Sequence, residues 1–269
     1  MPDRATVTYT YDGSFEGALC CIFESFLRKE LPMDIAPEYD AAPTLYTQRY
    51  IETDMARAAR VDRGVAEKMG PRAEGMLRTG FLYGEGGREA AMLDFVQFGL
   101  TEGFGRTAGM VDRPEVAPLF GMCRAVGNEA HLLKGFTRFT DRDGALVAVI
   151  TPKHFVLPLL RGHFAMRYRN ETFMIFDRTH GAALVHSGGK TVIAPVENVE
   201  IPEDAAMGDP VYSRLWKEYY KNTAIMERYN PKCRMTHMPK RFWPNMLEVE
   251  EEAGGWRAAG GELLTAGKF

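Results

Sequence analysis

The sequence predicts an α+β fold from three features: one β-like run at the N-terminus, a long helical middle, and a cluster of strand and turn signals after Gly135. Strands and helices are segregated along the chain, which disfavours the strand–helix alternation of a Rossmann-type sheet. Thr6 to Tyr11 alternates β-formers and stops at Asp12-Gly13-Ser14, a turn that also offers helix caps. Phe15, Leu19, Ile22, Phe23, Phe26 and Leu27 then recur at helical spacing, the stripe of a core-facing helix that ends near Arg28-Lys29. Residues 53–83 read as two helices, capped at Thr53/Asp54 and divided at Gly70-Pro71, where Pro71 suits a first helical turn. Arg88 to Leu100 and Val116 to Leu133 continue the helical pattern.

Beyond Gly135, the runs Phe136 to Thr140 and Ala145 to Ile150 flank Asp141-Arg142-Asp143-Gly144, a β-hairpin whose Asp-Gly suits its turn. A short helix is expected over Phe155 to Met166 despite Pro158. Strands follow at Thr172 to Phe176, Ala182 to His186 and Thr191 to Ala194, the last two joined by Gly188-Gly189, giving a small antiparallel sheet. The longest helix is expected over 208–229, covering that sheet. The expected organisation is a single α+β domain over 1–247, helical over about 14–134 and sheet-containing over about 135–247, with a flexible Gly- and Ala-rich tail at 248–269.

The 269 residues carry 33 Lys+Arg against 36 Asp+Glu and are 45% hydrophobic, which excludes a disordered or fibrous chain. No uncharged run approaches the roughly 20 residues that a membrane span needs. The N-terminus has no apolar signal core, so a cytoplasmic location is expected. Cys20, Cys21, Cys123 and Cys233 lack CxxC spacing, and no metal cluster is expected. The glycine-rich stretches Gly84 to Gly87 and Gly103 to Gly109 do not sit between a strand and a helix as a dinucleotide loop requires, so no cofactor is assigned.

The charge is unevenly spread. Residues 151–180 hold 5 basic and 2 acidic side chains, and 211–243 hold 8 and 2. Clustered Lys and Arg, rather than whole-chain charge, give affinity for phosphates. In the expected long helix, Arg214, Lys217, Lys221 and Arg228 share one sector of roughly 60°. The loop that follows interleaves Lys232, Arg234, His237, Lys240 and Arg241 with Phe242 and Trp243. Cations for phosphates beside rings for unstacked bases are what nucleic-acid surfaces need; a solvated basic face and a core-packed loop are the competing explanations. The other basic segment contains Lys153, His154, Arg161, His163 and Arg167. His154 and His163 are nine residues apart, on opposite sides of a continuous helix, which argues against a shared metal site. Acid–base work by an imidazole near Asp177 or Glu129 remains open.

Five ordered blocks resemble one bacterial family. They are Tyr9-x-Tyr11-Asp12-Gly13-Ser14-Phe15-Glu16-Gly17, Glu129-Ala130-His131 leading to Gly135-Phe136-x-Arg138-Phe139, Pro152-x-His154, His163-Phe164-Ala165-x-Arg167, and His237-Met238-Pro239-x-Arg241-Phe242-Trp243. The family is assigned to DNA metabolism without a defined activity. The resemblance implies a gene neighbour of the radical-SAM DNA-repair type and a related domain fused to a uracil-DNA glycosylase-like domain. Two positions depart from the family pattern: Leu132 stands where an Arg follows the His, and Phe155 where an Asn does. The S-adenosylmethionine label sometimes attached to the family is not matched by a CxxxCxxC cluster here and is read as belonging to the partner.

Three functions follow as expectations. The first is a DNA-associated accessory protein that presents nucleic acid to a radical-SAM or glycosylase-type partner. In it Lys153, Arg138, Arg161, Arg167, Arg214, Lys217, Lys221, Lys232, Arg234, Lys240 and Arg241 hold phosphates, and His237 and Trp243 stack or position a base. The second is an enzyme acting on a DNA base or nucleotide through His154, His163, His237 and Glu129. The third is a protein-interaction scaffold.

Overall fold

The computed structural model describes residues 4–41, 45–196 and 230–246, together with the helical positions Leu215, Glu218, Tyr219 and Thr223. The rest of the helix expected over 208–229, with Arg214, Lys217, Lys221 and Arg228, lies outside the described residues, as does the tail at 248–269. The chain is α+β. It divides into two compact units between Gly127 and Asn128, inside the helix Ala117–Phe136.

In the first unit β1 (Ala5–Tyr11) is the middle strand of a three-stranded sheet, between β2 (Pro32–Pro37) and β3 (Thr47–Tyr50), and it is parallel to both. Val7 to Tyr11 are therefore buried without a break, as a central parallel strand covered on both faces must be. The return from β1 to β2 is made by α1 (Phe15–Arg28), since parallel neighbours cannot be joined by a tight turn. Ser14 caps α1 by accepting the Gly17 N–H at 2.9 Å, and Lys29 ends it in the left-handed conformation. Gly17 is required by close approach, because a methyl group there would lie 2.4 Å from Asp12 Oδ1. The sequence reading of a lone N-terminal strand is thus corrected. β2 and β3 are short, proline-bounded or polar, and pair only with a strand distant in sequence, so they leave little local signal.

α2 (Met55–Met69) starts at Asp54, whose carboxylate accepts the Ala56 and Arg57 N–H groups, and stops at Gly70 with φ of 88°. Pro71 opens α3 (Pro71–Phe81), and α4 (Arg88–Phe98) follows. Two buried tyrosines tie β1 to carboxylates. The Tyr9 hydroxyl donates to Glu30 Oε1 at 2.5 Å, and Arg49 also binds that carboxylate. The Tyr11 hydroxyl donates to Glu89 Oε1 at 2.7 Å, an oxygen that also accepts from Arg88 Nε at 2.8 Å.

The second unit starts within α5 (Ala117–Phe136), which leads into β4 (Thr140–Arg142) and β5 (Ala145–Ile150). These form the expected hairpin, with Asp143 and Gly144 both at positive φ, as a two-residue turn requires. Phe136 belongs to the end of α5 rather than to a strand. α6 (Leu157–Arg167) then carries the chain to β6 (Thr172–Asp177), with Pro158 tolerated in its first turn. β7 (Ala182–Ser187) and β8 (Lys190–Pro195) complete the order β4-β5-β6-β7-β8. The sheet is mixed, not purely antiparallel. β5 and β6 run parallel, because a helical crossover lies between them. Phe139, Phe164, Tyr168 and Phe173 pack edge to face at its core. Among the described residues no helix is long and apolar enough to cross a membrane.

Two outcomes are expected. Tyr11→Phe removes a buried hydrogen bond to a charged acceptor and costs about 1–3 kcal/mol, read from the denaturant midpoint. Cys233 is exposed, whereas burial raises the Cys20 and Cys21 thiols and pushes Cys123 up to about 11. A thiol reagent at mildly alkaline pH therefore labels Cys233 rapidly and the other three only after unfolding.

Candidate nucleic-acid interface

The last residues of β5 and β6, Ile150 and Asp177, are register partners in a parallel pair. The segments that follow them, 151–155 and 178–180, thus leave the same end of the sheet. Carboxyl ends of parallel strands are where open α/β sheets gather binding groups, because the loops there are not constrained by the ladder.

Glu129 on α5 organises this end. Its side chain is 1% exposed. Oε1 accepts the Lys153 N–H at 3.1 Å, and Oε2 accepts the His154 N–H at 2.8 Å. Arg241 Nη2 approaches Oε1 at 3.0 Å from the C-terminal loop. One buried carboxylate therefore accepts two backbone N–H groups and pairs with a guanidinium from a segment far away in sequence. Such charge-assisted bonds are about twice as strong as neutral ones, and a carboxylate left unpaired at this depth would be costly. Both oxygens of Glu129, the carboxylate expected as an acid–base candidate, are engaged by protein groups.

The C-terminal loop is anchored by its rings. α7 (Pro231–His237) is capped by Asn230, whose Oδ1 accepts the Cys233 N–H at 3.0 Å. Phe242 is buried against Phe136, with ring centroids 5.5 Å apart, and the Arg241 guanidinium lies over its face at 4.6 Å. Trp243 is 6% exposed and donates Nε1–H to the Met238 carbonyl at 2.9 Å. Arg234 and Lys240 sit over its ring at 5.1 and 5.7 Å. The stacking role expected of Trp243 is corrected: burial withholds the ring from an incoming base, and its work is to hold two cations in place.

The other expected residues are distributed as follows. Lys153, Lys232 and Lys240 are exposed, and so are Arg161 and Arg167 on α6. Arg138 caps the end of α5, donating from Nη1 to the Gly135 carbonyl at 2.7 Å. His154 is buried, while His163 on α6 and His237 on α7 are exposed. Burial, then the charges of Lys134 and Arg167, lower the His163 pKa below its ordinary value. Among the described residues no group of three or more His, Cys, Asp or Glu is arranged to hold a metal ion.

Sequence reasoning overlooked His180. Its Nδ1 lies 2.7 Å from Asp177 Oδ2, and its ring meets the Phe155 ring at 5.5 Å and 66°. Asp177 thus does meet an imidazole, though not one of the three expected. His186, by contrast, is buried and stacked on Phe173, with Nδ1 at 2.7 Å from Thr191 Oγ1, a packing role.

Fold and site together define an α+β protein with a cationic surface joined through a buried carboxylate. Residues 86–248, more than half of the chain, match DUF4130, a domain of unknown function, and the chain belongs to that family. The matched span contains Glu129, the loops after β5 and β6, and the C-terminal basic loop. No curated protein and no solved structure matches the chain.

Replacing Glu129 by Ala is expected to cost about 3–5 kcal/mol, because it strips a buried carboxylate from Arg241 and two backbone donors. Glu129→Gln, which keeps an acceptor, loses less; urea denaturation of the three proteins gives the ranking.

Proposed function

We propose that this chain is a cytoplasmic, DNA-associated accessory protein that presents nucleic acid to a radical-SAM or glycosylase-type partner. The observation that carries the reading is the Glu129 joint. Two basic segments, each flagged by its charge, meet at one carboxylate, so Lys153 and the Lys240-Arg241 pair belong to one surface. Arg161 and Arg167 extend the positive charge along α6 and meet no carboxylate among the described residues. Cations without acidic partners are available to phosphates and raise the potential that a polyanion meets. The repair setting and the partner rest on the resemblance of the sequence blocks to the DNA-metabolism family.

The direct test is fluorescence anisotropy with labelled single- and double-stranded DNA, intact and uracil-containing, over a salt series. Wild type binds with log K falling as log salt rises. Lys153→Ala and Lys240→Ala each lower the slope by about one, as loss of one phosphate contact does. Absence of binding at low salt ends this reading for the isolated chain.

A second outcome follows from His163. Burial first, and then the charges of Lys134 and Arg167, lower its pKa; a bound polyanion offsets the charge part, so the pKa rises when an oligonucleotide is added, measured by NMR titration of the ring. By linkage, affinity grows as pH falls through that pKa.

A further inference from the structure

We propose that Asp177 and His180 form an acid–base pair whose working atom is His180 Nε2, placed to exchange a proton with nucleic acid held on the adjoining cationic surface. The inference rests on the reading that this surface binds nucleic acid and adds the group that acts on it.

Asp177 is fully buried at the end of β6. Its Oδ1 accepts the N–H groups of Thr179 and His180 at 3.0 and 3.2 Å, which closes the turn. The turn needs only that oxygen. Oδ2 is left for the imidazole, and because a carboxylate can only accept, Nδ1 is the donor. The tautomer is therefore fixed with the lone pair on Nε2, and among the described residues Nε2 has no hydrogen-bond partner. The ring is 24% exposed, open enough for a ligand to reach and held too firmly to rotate freely.

The surroundings of the ring point the same way. Phe155 walls one side of it. The residue before Phe155 is His154, whose N–H is bonded to Glu129, and Glu129 also holds Arg241. Phe155 is two residues from Lys153 on the loop after β5, and its ring meets His180 on the loop after β6, so a strand held at Lys153 has an aromatic wall and an imidazole close by in the chain. His186 shows what a structural imidazole looks like in this fold: both ring nitrogens face protein atoms and the ring is buried.

The step is a proton transfer. Nε2 takes a proton from a water, hydroxyl or base N–H of the bound ligand, the Nδ1 proton stays on the ring, and Asp177 stabilises the imidazolium. The same proton is available for return to a departing or neighbouring atom. Asp177 is the positioning residue and His180 the catalytic one.

The test uses the full chain and an oligothymidylate. Nitrogen-resolved NMR of the histidine rings is expected to show His180 with its proton on Nδ1 and its resonances moving with oligonucleotide while those of His186 stay. Carbethoxylation by diethyl pyrocarbonate, mapped by mass, is expected to modify His180 and to slow several-fold when the oligonucleotide is bound. In Asp177→Asn the rate falls without oligonucleotide; the wild-type measurements decide the matter if that variant does not fold. A His180 proton on Nε2, or an unchanged modification rate in a sample whose anisotropy shows binding, overturns the pair while leaving the DNA reading intact. No anisotropy change at any salt overturns both.

Discussion

Glu129 accepts the N–H groups of Lys153 and His154 and pairs with Arg241, and the arrangement of the whole basic surface follows from it. The loop after β5 has no ladder partner to hold it, and the loop ending at Trp243 is short and proline-punctuated. The desolvation of a buried carboxylate is offset only when its donors are all present at once. Both loops therefore converge on one group. The rings finish the work, with Phe242 packed on Phe136 and Trp243 carrying Arg234 and Lys240 on its faces.

The same logic, acid groups placed inside to collect donors, recurs in the first unit with a different result. There Glu30 and Glu89 collect a tyrosine and an arginine each, and charge is neutralised within the fold. In the second unit the carboxylates Glu129 and Asp177 bind backbone N–H groups and each also holds one side chain, Arg241 and His180. The contrast is between two carboxylates that collect side-chain donors and two that also hold backbone N–H groups at the ends of β5 and β6.

Much of the local structure was legible because its causes are local. Ser14, Asp54, Gly70-Pro71 and Asp143-Gly144 act over three or four residues, and each sits where its chemistry places it. β2 and β3 were hidden because a short parallel strand is defined by its neighbour and not by its own alternation. The parallel pairing of β5 and β6 was implicit in the helix expected between them, since a helical crossover returns the chain in the same direction. For the site, composition located both basic segments, but nothing in either one announces Glu129, whose role depends on tertiary distance. Trp243 read as a stacking platform because exposure is invisible in sequence. Asp177 and His180 carried a readable signal, an acid three residues before a histidine at the end of an apolar strand, and that spacing is what an Asp-closed turn uses.

The central position of β1 also constrains how the chain can be made. The strand leaves the ribosome ahead of both sheet partners, which emerge only with residues 32–37 and 47–50, and the carboxylate that receives Tyr11 comes later still, at Glu89. Until then a run of β-formers with both edges open must wait, partly shielded by α1 alone. Synthesis is therefore the period of greatest exposure to edge-to-edge association, and a pause or truncation before α4 would leave the strand most in need of chaperone protection.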